Sequence, residues 1–338
     1  MISKGAFRLP FCLTRRYSTI IITSSAIPNA VRPGVSHAPL VKRFYMDTAP
    51  HTPRILILGG KTGLLGQAMA NAAAIGGYDV VATGREDFNP TDTAKLAEFI
   101  DDTAPNIVCN TIAYTQVDNA ETEEEEALLL NRVLPCSLGR IIKERPAIHL
   151  VHFSTDFVFN GRKETAYTEE DAPAPLNAYG RSKLAGEKAL LDLHLEKCAI
   201  VRTAWLFGPG KKNFISTILN LCREGKHLNI IHDQLGSPTY TPDLAAYCLN
   251  LVEAGGTGIF HITNSGQASW CEVASEAVRF AQLECPIAPI PAKEYPQKAA
   301  RPAFSVLSTA KFTQRTGITP RPWPQALAEY VYSTMSPI

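Results

Sequence analysis

No stretch of this chain is apolar for the roughly 18 residues that a membrane-spanning helix requires. Neither charge is in excess: 33 Lys and Arg stand against 32 Asp and Glu, a formal net charge of +1. A surface without a basic field gives no electrostatic reason to expect a nucleic acid or an anionic membrane as partner. Cysteine is sparse and unpatterned. The eight cysteines form no CxxC pair and no Cys/His spacing of the metal-ligand kind. That argues against a zinc module or a disulfide framework, and predicts reduced, mostly buried thiols in a cytoplasmic protein. There is no internal repeat and no low-complexity linker.

Acid is missing from the first 46 residues, where Asp47 is the first carboxylate, while Lys4, Arg8, Arg15, Arg16, Arg32, Lys42 and Arg43 are interspersed with serines. A basic, acid-poor leader fits a mitochondrial-type transit peptide. Translation starting at Met46, just ahead of the first apolar strand, is the favoured expectation. Residues 1–50 are therefore treated as an N-terminal extension outside the fold. The remainder is ordinary globular material, 45% hydrophobic and 19% charged over the whole chain, enough for one large or two moderate domains.

Strand and helix patterns alternate from Arg54 onward. Arg54-Ile-Leu-Ile-Leu is a short apolar run ending at Gly59, as a buried parallel strand would be. A helix from Gln67 to Ile75 ends at Gly76-Gly77. Strands are expected at 78–83, 106–110, 147–154 and 198–203, and helices at 95–101 and 123–143. A further helix opens after Asn177. His149 and His152 fall within a strand and read as packed residues, and Glu123–Glu126 as a solvated helix start. Pro286 to Pro302 is proline-rich and reads as surface loop. This order predicts an α/β fold, a Rossmann-like doubly wound parallel sheet with a smaller C-terminal lobe.

Two patterns carry chemistry. Gly60-Lys61-Thr62-Gly63-Leu64-Leu65-Gly66 follows a strand and opens a helix. Glycines permit the tight turn and a close backbone approach, and a helix N-terminus attracts a pyrophosphate. At the end of the second strand Thr83 and Gly84 are neutral and Arg85 follows. No acid stands there to bind a ribose diol, and Lys61 and Arg85 suit a 2′-phosphate, so NADPH is favoured, with NADH the alternative. The second pattern is Tyr179-Gly-Arg-Ser-Lys183, with Ser154-Thr155-Asp156 upstream. Spacing of i, i+4 places phenol and ammonium on one helix face, and the ammonium is expected to lower the phenol pKa from about 10. With Thr155 on the same carbonyl oxygen, the trio suits ketone reduction or alcohol oxidation. YxxxK alone is a weak signal, since most such pairs are solvated surface residues.

Longer stretches give it context. Asn110-Thr-Ile-Ala-Tyr-Thr-Gln-Val-Asp118, Phe153-Ser-Thr-Asp-Phe-Val-Phe-Asn-Gly161, Pro175-Leu-Asn-Ala-Tyr-Gly-Arg-Ser-Lys-Leu-Ala-Gly-Glu187, Val201-Arg-Thr-Ala-Trp-Leu-Phe-Gly208, Asp233-Gln-Leu-Gly-Ser-Pro-Thr239 and Arg301-Pro302 follow one another in order. Over roughly 54–330 the chain resembles the extended short-chain dehydrogenase/reductases, and among them the dTDP-4-dehydrorhamnose reductases. The resemblance implies Tyr179 as general acid, Lys183 as the group that lowers its pKa and bonds the nicotinamide ribose, and Thr155 as a hydrogen-bond partner of a C4 keto oxygen. It implies cofactor contacts at Gly60, Gly63, Leu64, Leu65 and Gly66 and at Ile112, Ala113 and Tyr114. Asp156, Trp205, Asn213, Gln234 and Arg301 are implied contacts for a dTDP-sugar substrate. Residues 51–207 would form the dinucleotide-binding domain. Residues 208–335 would be mainly the substrate-binding lobe, with segments returning to the first, in a monomer or homodimer.

Departures accompany the match. Asn89-Pro-Thr-Asp92 stands where the family often has aspartate first, which weakens an expected adenine contact. Some members link to Mg²⁺ through a glutamate in the first helix; Ala68 occupies that place, so no metal is expected. Two other readings share the scaffold. One is a non-catalytic regulatory subunit resembling that of methionine adenosyltransferase, and the other a nucleotide-sugar epimerase or dehydratase. Joint presence of Thr155, Tyr179 and Lys183 favours an enzyme, because a binding subunit has no chemical need of them.

Overall fold

The computed structural model describes residues 52–335, so the expectations for the N-terminal extension lie outside the described residues. In chain order the elements are β1 Arg54–Leu58, α1 Leu64–Ile75, β2 Asp79–Ala82, α2 Thr93–Thr103, β3 Ile107–Asn110, α3 Glu124–Leu128, α4 Leu134–Lys143, β4 His149–Thr155, α5 Ala178–Leu191 and β5 Cys198–Thr203. They continue with β6 Leu206–Phe207, α6 Phe214–Arg223, β7 Leu228–Ile231, β8 Leu235–Gly236, β9 Thr239–Tyr240, α7 Thr241–Glu253 and β10 Gly258–His261. Last come β11 Ala268–Ser269, α8 Trp270–Phe280, β12 Ile287–Ile290, α9 Ala310–Thr316 and α10 Trp323–Met335.

Six strands form one parallel sheet in the order β10-β5-β4-β3-β1-β2. Strand alternation between two covered faces explains why β1 is apolar from Ile55 to Leu58. Ile55 and Ile57 join Met69 of α1 and Leu244 and Leu251 of α7 on one face. Leu56 and Leu58 join Leu96 and Ile100 of α2 and Leu138 and Ile142 of α4 on the other. The chain leaves β1 toward β2 on one side and returns to β3 on the other, so a crevice opens between the carboxyl ends of β1 and β3. This is the doubly wound arrangement expected. Ile215 and Ile218 of α6, Val273 and Ala277 of α8, and Leu327 and Val331 of α10 make a separate C-terminal core. β10 returns from beyond α7 to the edge of the main sheet.

Three expectations are corrected. The single long helix expected over 123–143 is α3 and α4 joined by a π-helical turn, Leu129–Val133. Pro135 has no N–H to give to the Asn131 carbonyl four residues back, and its ring crowds that carbonyl, so the helix widens there. Secondly, the 286–302 loop contains β12, paired in parallel with β7. Pro289 is tolerated because a two-stranded sheet consists only of edges. Thirdly, the thiols are not all reduced: Cys222 of α6 and Cys285 form a disulfide with Cα atoms 5.3 Å apart. Their separation of 63 residues leaves no local spacing signal. Cys109, Cys198 and Cys248 are free and buried, as expected. None of the described helices is long and apolar enough to cross a membrane.

Candidate active site

A parallel sheet brings every strand's carboxyl end to one edge, and the residues of interest gather there. A cavity of about 510 Å³ is lined by Gly59, Thr62 and Gly63 after β1, by Thr83, Gly84 and Arg85 after β2, and by Thr111, Ile112 and Ala113 after β3. Gly59 has φ +82, which an L side chain rarely adopts. A Cβ at Gly66 would collide with the Gly59 carbonyl, so glycine there lets α1 dock against the loop. The N-cap of α1 is Gly63, and no side chain caps the helix. Uncapped amides at the floor of a cavity suit a pyrophosphate. The donor set and the space therefore fit a dinucleotide. Gly60 packs on β2 and Leu65 is buried in the core, so their contribution is the turn itself and backbone amides.

Lys61 behaves differently from expectation. Its ammonium is held by Asp87 at 2.6 Å and Glu86 at 3.3 Å, and Asp87 before Glu86 raises its pKa. Arg85 remains on the cavity wall. Asn89 lines the same wall, and its side-chain oxygen accepts from the Thr91 amide and hydroxyl, closing a local turn. Tyr114 lies behind the cavity. It is buried, its backbone is clasped by Asn131, and its hydroxyl donates to Glu123 at 2.6 Å.

Thr155 ends β4, and α5 carries Tyr179 and Lys183 beside it. Asn177 caps α5 by accepting from the Gly180 amide at 2.8 Å. The Tyr179 ring meets the edge of Phe157 at 6.0 Å. Lys183 is almost fully buried, and its ammonium donates to the Phe153 carbonyl at 2.5 Å. Burial lowers the Lys183 pKa to about 8, against the opposing pull of Glu187 one helical turn on. Burial also pushes the Tyr179 phenol up to about 12, with the Thr155 hydroxyl acting in the other direction. This overturns the expected lowering by lysine: the ammonium is spent on a backbone carbonyl, and Tyr179 is a protonated acid at neutral pH.

Asp156 was expected to meet sugar hydroxyls. Instead it is buried behind Thr155, accepting from the Thr155 hydroxyl at 3.0 Å and from the Ser305 hydroxyl at 2.6 Å. Burial pushes its carboxyl up to about 6, opposed by those two hydroxyls. Between about pH 4 and 6 the folded protein keeps a proton that the unfolded chain has lost. The resulting stabilisation is present below about pH 4 and is lost as pH rises through 6. Asp156→Asn should flatten this slope, removing about 2–3 kcal/mol of the fall in unfolding free energy over that window. Urea titrations from pH 4 to 7 measure it, and parallel curves for variant and wild type would refute the assignment.

A segment from the C-terminal half straps across this edge. The Ala300 carbonyl accepts from Asn177, Ser305 reaches Asp156, and Arg301 forks onto Asp118 through two bonds of 2.9 and 2.8 Å. The Arg301 guanidinium, with the Ala299 and Lys298 amides beside it, holds Asp118 down at about 2. The fork expected to bind a diphosphate is thus paired within the protein, although Arg301 still lines a second cavity of about 440 Å³ with Gln234, Phe214 and Trp270. Trp205 stacks on Trp270 with ring centroids 3.6 Å apart. Asn213 is a helix cap: it accepts from the Ser216 amide and gives its own amide protons to Gly208, Lys211 and Tyr330. It does not face the second cavity.

Several participants escaped sequence reasoning. Ser305 lies 149 residues from Asp156, and no spacing signals the pair. Asn131, turned inward at the π-helical turn, ties Tyr114 to Ser182 of α5. A Cβ at Gly186 would collide with the Asn131 carbonyl, so Gly186 was the available clue. Glu187 and Arg202 form a fully buried bidentate pair directly behind Lys183.

Comparisons with known proteins give the family. The profile of the RmlD substrate binding domain matches residues 53–335. A spore coat polysaccharide biosynthesis protein of Bacillus subtilis is 36% identical over 281 residues, covering 83% of this chain and 98% of the relative. A dTDP-4-dehydrorhamnose reductase of Aggregatibacter actinomycetemcomitans is 37% identical over 286 residues, covering 80% and 96%. The crystal structure of dTDP-4-dehydrorhamnose reductase from Bacillus anthracis in complex with NADP superposes with a TM-score of 0.80 at 30% identity, covering 83% of this chain and 99% of that one. By profile, sequence and fold alike, this chain belongs to the RmlD substrate binding domain family, that of the dTDP-4-dehydrorhamnose reductases.

Proposed function

We propose that this chain is an NADPH-dependent oxidoreductase that reduces the C4 keto group of dTDP-4-dehydro-L-rhamnose, giving dTDP-L-rhamnose. The observation that carries the reading is that the glycine-lined cavity follows β1, β2 and β3 at the same carboxyl edge of the sheet at which Thr155 ends β4, with Tyr179 and Lys183 on α5 beside it. The loop after β1 and the start of α1 would hold a dihydronicotinamide dinucleotide, which would supply the hydride that C4 receives. Tyr179, held protonated by burial, gives its proton to the developing alkoxide. Thr155 orients the carbonyl oxygen, its hydroxyl rotating from Asp156. Lys183, anchored on the Phe153 carbonyl, holds the nicotinamide ribose hydroxyls.

Residues 51–207 serve as the dinucleotide-binding domain and 208–335 mainly as the substrate lobe, in a cytoplasmic monomer or homodimer. Gln234, Trp205 and Arg301 border the sugar nucleotide. A Mg²⁺ link through the first helix is not expected, since Ala68 carries no ligand group. NADPH is preferred to NADH through Arg85, with Lys61 already neutralised by Asp87 and Glu86.

Initial rates with dTDP-4-dehydro-L-rhamnose test this. Net oxidation of NADPH is expected, with kcat/KM above that for NADH. No net oxidation would point to an epimerase or dehydratase, which recycles its cofactor. A clear preference for NADH would overturn the role given to Arg85.

A further inference from the structure

We propose that Lys211 clamps the pyrophosphate of the bound dinucleotide from across the two halves of the protein, an inference that rests on the cofactor reading above. Among the described residues lining the glycine cavity, Lys211 is the one that comes from beyond Leu130. Its loop is built to stay there. Asn213, the cap of α6, donates to the Gly208 carbonyl at 2.9 Å and to the Lys211 carbonyl at 3.2 Å, and is anchored on the Tyr330 hydroxyl at 2.9 Å. Gly210 has φ +94, a conformation that an L side chain rarely adopts, and sits against the end of the Gln67 side chain. Gln67 lies in the first turn of α1, its amide bonded to the Gly63 carbonyl. The backbone of Lys211 is thereby fixed beside the uncapped start of α1, at the phosphate end of the cavity.

The charges around the cavity point the same way. The charged side chains lining this cavity are Arg85, Glu126 and Lys211. Arg85 follows β2 and belongs to the adenosine end. Lys61, the cation within the glycine loop, is committed to Asp87 and Glu86. Lys211 forms no ion pair among the described residues. A flexible ammonium suits a phosphate as a point charge, and an exposed stem lets it close after the nucleotide has entered.

Fluorescence titration of wild type, Lys211→Ala and Lys212→Ala with NADPH and with NADH, at low and high salt, tests the assignment. Lys212 is the control, being exposed, adjacent, equally charged and absent from the lining. Lys211→Ala should weaken both nucleotides about tenfold, the loss of one charge-assisted contact, and should reduce the salt dependence of both. Lys212→Ala should stay within about twofold of wild type. A loss confined to NADPH would assign Lys211 to the 2′-phosphate and overturn the proposal. Affinities equal to wild type, or equal losses in both variants, would overturn it as well. If wild type bound neither nucleotide, the cofactor reading itself would fall, and this inference with it.

Discussion

Tyr179→Phe should lower kcat for NADPH-dependent reduction of the 4-keto sugar by about 10²–10⁴-fold, the usual contribution of a positioned proton donor. The substitution is narrow. It keeps the ring and its edge contact with Phe157 at 6.0 Å, and removes only the hydroxyl beside Thr155. Stability and nucleotide affinity should therefore stay near wild type, with the loss falling on kcat. Because burial holds the phenol up near 12, the wild-type acid remains protonated across the neutral range. An unchanged kcat, or a loss matched by a failure to bind NADPH, would remove Tyr179 from the chemistry.

Arg202→Met should cost about 3–5 kcal/mol of unfolding free energy, because it leaves the Glu187 carboxylate buried without its partner. Both side chains are about 1% exposed, the pair is bidentate at 2.9 and 2.7 Å, and the guanidinium also lies over the Phe159 ring at 5.2 Å. His261 beside it offers no relief, since burial and the Arg202 charge lower its pKa to about 3. The double variant Glu187→Met with Arg202→Met removes both charges and should lose far less, since breaking such a pair costs more than replacing it. Urea midpoints read both. A single variant as mild as the double would show that the pair bears little on stability. Glu187 also raises the pKa of Lys183, which links this pair to the catalytic edge.

Much of the fold was legible in residue order. The run from Ile55 to Leu58, apolar on both strand faces, could only lie between two helical layers, and it does. The glycines at 60, 63 and 66 announced a turn in which Cβ atoms have no room. The strand 198–203 and the helix carrying Tyr179 fell where periodicity and the Asn177 cap placed them. Less legible was whatever depended on a partner distant in sequence. Asn213 and Arg301 are residue types that suit a nucleotide, yet their polar atoms are spent on a helix cap and on Asp118. Lys61 suits a phosphate equally well, and Asp87 reaches it first.

The sequence by itself determined the doubly wound sheet, the glycine turn and the i, i+4 pairing of Tyr179 with Lys183, because each follows from local periodicity and backbone sterics. Only the tertiary structure decided what surrounds them. It buried Lys183 against the Phe153 carbonyl, raised the phenol rather than lowering it, set Asp156 between Thr155 and Ser305, and brought Lys211 to the cavity from the second half of the chain. Desolvation and hydrogen-bond partnership depend on neighbours gathered from across the chain, and no spacing along it encodes them.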